Sequence, residues 1–172
     1  MRDRAAHLEG RPGKSWLVAA AGLSAAAALL HIGVILGGPS WYRFFGAGEA
    51  MAQAAERGSV MPALVTAGIA AILLVWALYA LSGAGAIRRL PLLRTGLVLI
   101  AAIYLLRALL LVPTLLLKPQ FVDSFAVWSS LIVFVYGLAY AIGTWRAWPW
   151  LRPGADRNVV GDDGLEPPTS SV

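Results

Sequence analysis

The chain alternates between long apolar stretches and short polar ones, and the apolar stretches are longer than a soluble core needs. Four of them, at about 16–36, 61–81, 91–112 and 124–145, contain Arg94 and Arg107 as their only charged residues. At about 1.5 Å of rise per residue, each is long enough as a helix to cross the roughly 30 Å of bilayer hydrocarbon. Ser59 and Pro62 mark the start of the second stretch, Ser59 as a cap and Pro62 in the first turn, where a missing N–H does no harm. Asp123 stands where a capping carboxylate would open the fourth. Pro113 either ends the third helix or kinks it and lets it run on to Leu117.

This pattern predicts an all-α membrane protein, a four-transmembrane-helix bundle. The longest polar connection, 37–60, carries strong helix formers at 49–57. A short helix is therefore expected between helices 1 and 2, lying on the outer face of the membrane. Three regions follow: a basic N-terminal segment at 1–15, a transmembrane domain at 16–147, and a tail at 148–172. The tail is rich in Pro, Gly, Asp and Ser and has no apolar period, so it is expected to be disordered.

Composition sharpens the picture. Of the 172 residues, 59% are hydrophobic and 13% charged, against roughly half and a quarter in soluble domains. Lipid is the solvent such a chain fits. The absence of cysteine excludes disulfides, thiolate metal sites and thiol catalysis. A net charge of +5 could suggest nucleic acid, but the basic residues gather at the ends of the apolar runs, which is the pattern of membrane anchoring. Lipid bilayer is the expected partner, and nucleic acid is not.

Their distribution also predicts orientation. Arg2, Arg4, Arg11, Lys14, Arg88, Arg89, Arg94, Arg146, Arg152 and Arg157 fall on one side, against Arg43, Arg57 and Lys118 on the other. The positive-inside rule then places both termini in the cytoplasm (N-in/C-in), in a multi-pass protein of a bacterial inner membrane. The first apolar run exceeds a signal-peptide core, contains His31, and is followed by Gly37-Gly38-Pro39-Ser40-Trp41 rather than a small-residue cleavage site. It is read as an uncleaved span.

Ionisable residues within a membrane are costly and mark functional candidates. His31 and Arg107 each lie about 22 Å along their helices from the inner edge, so the spacing predicts a shared layer in the outer half. A buried arginine needs a counter-charge; Glu49, Glu56 and Asp123 are the candidates, and Glu49 is preferred because Gly46 and Gly48 let the chain bend back there. Tyr42 and Trp128 complete the candidate ligand-binding set, with Thr66, Tyr104, Ser129 and Ser130 at similar depth. Each member has a plainer reading. Arg107 could snorkel to the interface, His31 could bond a neighbouring carbonyl, and Glu49 could be an exposed carboxylate in a first helical turn. Catalytic signatures are missing: there is no HExxH, no GxSxG and no pair of intramembrane carboxylates. His7 and His31, the two histidines, fall on opposite sides of the membrane, which excludes a bis-histidine metal or haem site. No catalytic residue, metal ligand or cofactor is assigned.

His31, the run Gly37-Gly38-Pro39-Ser40-Trp41-Tyr42-Arg43-Phe44-Phe45-Gly46-Ala47-Gly48-Glu49, Tyr79-Ala80-Leu81-Ser82-Gly83-Ala84-Gly85 and Tyr104-Leu105-Leu106-Arg107 resemble small four-helix bacterial inner-membrane proteins of the broadly DoxX-like kind. The resemblance covers about 16–147 and implies architecture; some members of that group are associated with redox or stress systems. Three functions compete. The first is a protein binding a small molecule or lipid headgroup in an outward-facing polar pocket. The second is an accessory or assembly subunit of a larger membrane complex. The third is a membrane enzyme or proton-coupled carrier using His31 and Glu49.

Overall fold

The structure, a computed structural model, describes residues 12–122 and 124–152. Asp123, the basic residues Arg2, Arg4 and Arg11, His7, and the tail from 153 onward lie outside the described residues. Seven α-helices account for most of the rest: α1 (Lys14–Gly37), α2 (Pro39–Phe44), α3 (Glu49–Glu56), α4 (Met61–Gly83), α5 (Leu93–Leu109), α6 (Leu111–Leu117) and α7 (Ser124–Ala147). The chain is all-helical, and α1, α4, α5 with α6, and α7 are long and apolar enough to cross a membrane.

Local chemistry explains the boundaries. Gly13, at φ 86°, turns the chain into α1, and Gly38, at φ 66°, takes it out again. Pro39 then opens α2 at a first-turn position that needs no N–H. Gly48 at φ 94° precedes α3. The third span begins at Leu93 rather than 91, because Leu92 takes a left-handed conformation (φ 51°) directly before α5. It continues to Leu117 through a short break at Leu110, so Pro113 does not end it. The connecting helix expected at 49–57 forms at Glu49–Glu56, and α2 precedes it.

α1 packs on α4 and α5 on α7, and these two hairpins close into a ring through α1 with α7 and α4 with α5. Small residues bring the helices together. A Cβ on Gly137 of α7 would lie 2.7 Å from Leu105 of α5 and 3.1 Å from its backbone nitrogen. On α7 Gly143 faces Leu17 of α1 in the same way, with 2.9 Å to the leucine side chain. Alanines dominate the core with Leu17, Leu73, Leu97, Ile100, Tyr104 and Tyr140. This is how helices associate where no water remains to drive apolar surfaces together.

The core extends past the expected domain boundary at 147. Residues 148–151 turn back onto the bundle, and Leu151 is 2% exposed within the main apolar cluster. Arg89, in the α4–α5 connection, donates to the carbonyls of Trp150 and Leu151. Arg94 donates to Trp148 O at 2.8 Å, with its guanidinium 4.4 Å from the centre of the Trp148 ring. These carbonyls belong to the turn that follows α7, so the two arginines hold that turn against the bundle. The chain described as tail therefore begins in an ordered, packed turn.

Candidate functional site

Two polar assemblies and one isolated charge stand out from the apolar bundle. The first assembly lies at its centre. The Ser24 hydroxyl on α1 is 2.9 Å from that of Tyr140 on α7 and 3.2 Å from that of Tyr104 on α5. Tyr140 donates to the carbonyl of Trp76 on α4 at 2.9 Å. A hydroxyl has one proton to give. Tyr140 gives its proton to Trp76, so Ser24 donates to Tyr140, and Tyr104 donates to Ser24. The result is one directed chain of hydrogen bonds touching all four spans. The ring of Tyr104 packs against Trp76, Tyr136 and Tyr140 at centroid distances of 4.8, 5.6 and 5.6 Å.

The second assembly is the cap formed by α2 and α3 over the ends of α1 and α4. Val34, Tyr42 and Ala52 are buried there, with Phe45, Met51 and Ala55 beside them. Above this small core, Arg43 forks onto two carboxylates. Its Nε and one Nη donate to Glu49 at 2.9 and 2.8 Å, and its other Nη donates to Glu56 at 2.8 Å. Gln53 also donates to Glu49, at 3.2 Å. The Arg43 guanidinium holds both carboxyls below their usual range, and they raise its own pKa in turn. The hydroxyl of Tyr42 lies under the cap with no hydrogen-bond partner among the described residues.

The isolated charge is Arg107. It is exposed on α5, and no ion pair or hydrogen bond to it occurs among the described residues. Its height follows from contacts between helices. The Ser24–Tyr104 bond and the Gly137–Leu105 contact set α1, α7 and α5 in register. Tyr79 over Gly96 does the same for α4. With about 1.5 Å per residue, the four spans then share nearly the same end levels, and Arg107 sits roughly 3 Å from mid-height. The hydroxyl chain lies in the same central zone.

The expected site residues are thus placed as follows. His31 is seven residues beyond Ser24 and Arg107 three beyond Tyr104, which puts His31 about 6 Å higher along the bundle. The two stand on helices diagonal to each other, so they do not form the expected shared layer. His31 is half-buried, with Nδ1 2.7 Å from Ala27 O on its own helix. Glu49 pairs with Arg43 in place of Arg107. Tyr42 is buried in the cap, and Trp128 points away from the bundle at 64% exposure. The five residues are not gathered into one pocket. Sequence reasoning missed Tyr140 and the bonding role of Ser24. The available signal was a pair of tyrosines, Tyr136 and Tyr140, one turn apart and away from the ends of their helix.

Comparison with family models, with curated proteins and with solved structures finds no match to this chain.

Proposed function

We propose that this chain is an accessory subunit of a larger membrane assembly, joined to its partner within the bilayer through Arg107. The observation behind the reading is an exposed arginine at mid-height of the third span, without an ion-pair partner among the described residues. With the bundle centred in a membrane, the nearer interface is roughly 12 Å from that height. An arginine side chain reaches about half that far, so snorkelling leaves the charge in hydrocarbon. Such a charge costs about 2.5–3.5 kcal/mol on insertion scales. Asp and Glu are absent from all four spans, so no described residue of a span, in this chain or in a second copy, supplies the counter-charge at that depth.

The same proposal places the chain in a bacterial inner membrane with both termini cytoplasmic and the α2–α3 cap outside, on the strength of the ten-to-three basic asymmetry. Its kinship with DoxX-like proteins belongs to the proposal as well, at the level of architecture. A ligand pocket built from His31, Arg107, Glu49, Tyr42 and Trp128 has less to support it, because these side chains occupy separate places and Glu49 already has a partner.

Native mass spectrometry from mildly solubilised native membranes tests the reading. A stoichiometric protein partner should accompany the wild-type chain and be missing with Arg107→Leu. A lone chain in both preparations would contradict it.

A further inference from the structure

The surface around Arg107 has a shape as well as a charge. Gly96, Ile100, Ile103 and Arg107 are spaced four, three and four residues apart, so they form one stripe along α5. Gly96 lies against Tyr79 of α4, which identifies that stripe as the side of α5 turned toward α4. Counting back from Tyr79 along α4 by the same periodicity gives Trp76, Ile72, Ile69 with Gly68, and Val65. The two stripes meet at Tyr79 with Gly96 and at Trp76 with Tyr104, whose rings are 4.8 Å apart. Beyond that level both stripes are uncovered: Ile72 is 52% exposed and Ile103 49%, and Val65, Ile69 and Arg107 are exposed too. A Cβ on Gly68, level with Arg107, would meet nothing within 4 Å. The uncovered halves of α4 and α5 nearer the cap thus border one cleft that opens sideways. Its walls are aliphatic, its floor is closed by the aromatic pair, and a single cation stands on one wall at mid-height.

We infer that this cleft receives one transmembrane helix of another protein, bearing an Asp or Glu at mid-depth. The inference rests on the accessory-subunit reading and adds the place and chemistry of the contact. Charge complementarity selects the occupant. A carboxylate on a spanning helix already sits at the height of Arg107, whereas a lipid phosphate rests at the interface. Each of the two helical charges is unfavourable alone in hydrocarbon, and each relieves the other. The open backbone at Gly68 allows an incoming helix to approach closely.

The test uses the full chain in phosphatidylcholine vesicles with a 23-residue Leu/Ala transmembrane peptide carrying one central Glu, and matched peptides with Gln or Leu there. Binding is read by energy transfer from a fluorophore on Gln53→Cys, a unique thiol in a chain without cysteine. The Glu peptide should bind at least tenfold tighter than the Gln peptide, and Arg107→Leu should erase the difference while Arg107→Lys retains part of it. A cysteine beside the peptide's Glu should form a disulfide with Ile103→Cys and not with Leu131→Cys on the lipid face of α7. Circular dichroism checks that each variant is folded. Equal binding of the Glu and Gln peptides, a preference that survives Arg107→Leu, or cross-linking at position 131 instead would each overturn the inference. So would loss of the preference when phosphatidylglycerol is added, because the cleft would then be taken by a lipid phosphate. A partner found in native membranes together with an indifferent peptide would leave the accessory role standing and reject this contact.

Discussion

The hydroxyls of Ser24 and Tyr104 lie 3.2 Å apart across the middle of the bundle, joining α1 to α5, helices that form opposite corners of the ring. The proton order places Ser24 between Tyr104 and Tyr140, so each member depends on the next. Ser24→Ala removes two bonds at once, and Tyr140→Phe leaves Ser24 without its acceptor and breaks the bond to Trp76. Each should cost about 1 kcal/mol, in the range of interhelical hydrogen bonds in membranes. The double variant should cost clearly less than the two singles together, since both break the same chain. Unfolding in mixed micelles measures all three, and strict additivity would show the bonds to be independent.

Gly137 makes the contact between α5 and α7 possible. Alanine there would bring its Cβ within 2.7 Å of Leu105 and 3.1 Å of a backbone nitrogen, which cannot rotate away. Gly137→Ala should destabilise the bundle by about 1–3 kcal/mol, as overpacking does. Gly22→Ala on the open face of α1 is the control and should be near neutral or slightly stabilising, because nothing lies within 4 Å of its Cβ.

The cap should respond to acid. Glu49 and Glu56 have folded pKa values below their ordinary ones because Arg43 hydrogen-bonds their charged forms. Their contribution is therefore complete above the unfolded value, about pH 4.3, and is lost as pH falls through the lowered folded values. Amide exchange in α3 should be unchanged from pH 7 to pH 5 after correction for intrinsic rates, and should rise below pH 4. Arg43→Gln should weaken the protection already at neutral pH and flatten the acid response. The pairs are exposed, so the effect is modest and reduced by salt.

The packed turn at 148–151 makes its own prediction. Arg89→Ala removes the donors held against the carbonyls of Trp150 and Leu151. Limited proteolysis should then cut within this turn at least several-fold faster, with the four spans intact. An unchanged rate would mean that burial of Leu151 and the Arg94–Trp148 contact hold the turn without Arg89.

The spans were legible because length and hydropathy suffice to locate them, and their ends shifted by a few residues where backbone geometry intervened, as at Leu92. The helix at Glu49–Glu56 was legible from its propensity. α2 was not read, although Gly38-Pro39 is a helix-opening pair. Arg43 was counted only as a flanking charge, yet it lies six residues from Glu49 and closes a short loop at little entropic cost. The direction of Arg107 was hidden for a physical reason. A spanning helix is apolar all round, so its sequence does not distinguish the lipid-facing side from the core. The bonding of Ser24 was not legible, because its partners are 80 and 116 residues away in sequence.

The role proposed for Arg107 requires position 107 to face out of the bundle at mid-membrane depth. A nitroxide on Arg107→Cys in bilayers measures this through collisions with oxygen and with a water-soluble nickel chelate. High oxygen and low nickel accessibility are expected, close to the values at Ile103→Cys. High nickel accessibility would put the position at the interface, and low accessibility to both would put it inside the bundle; either result would rule out a partner contact through Arg107 at that depth.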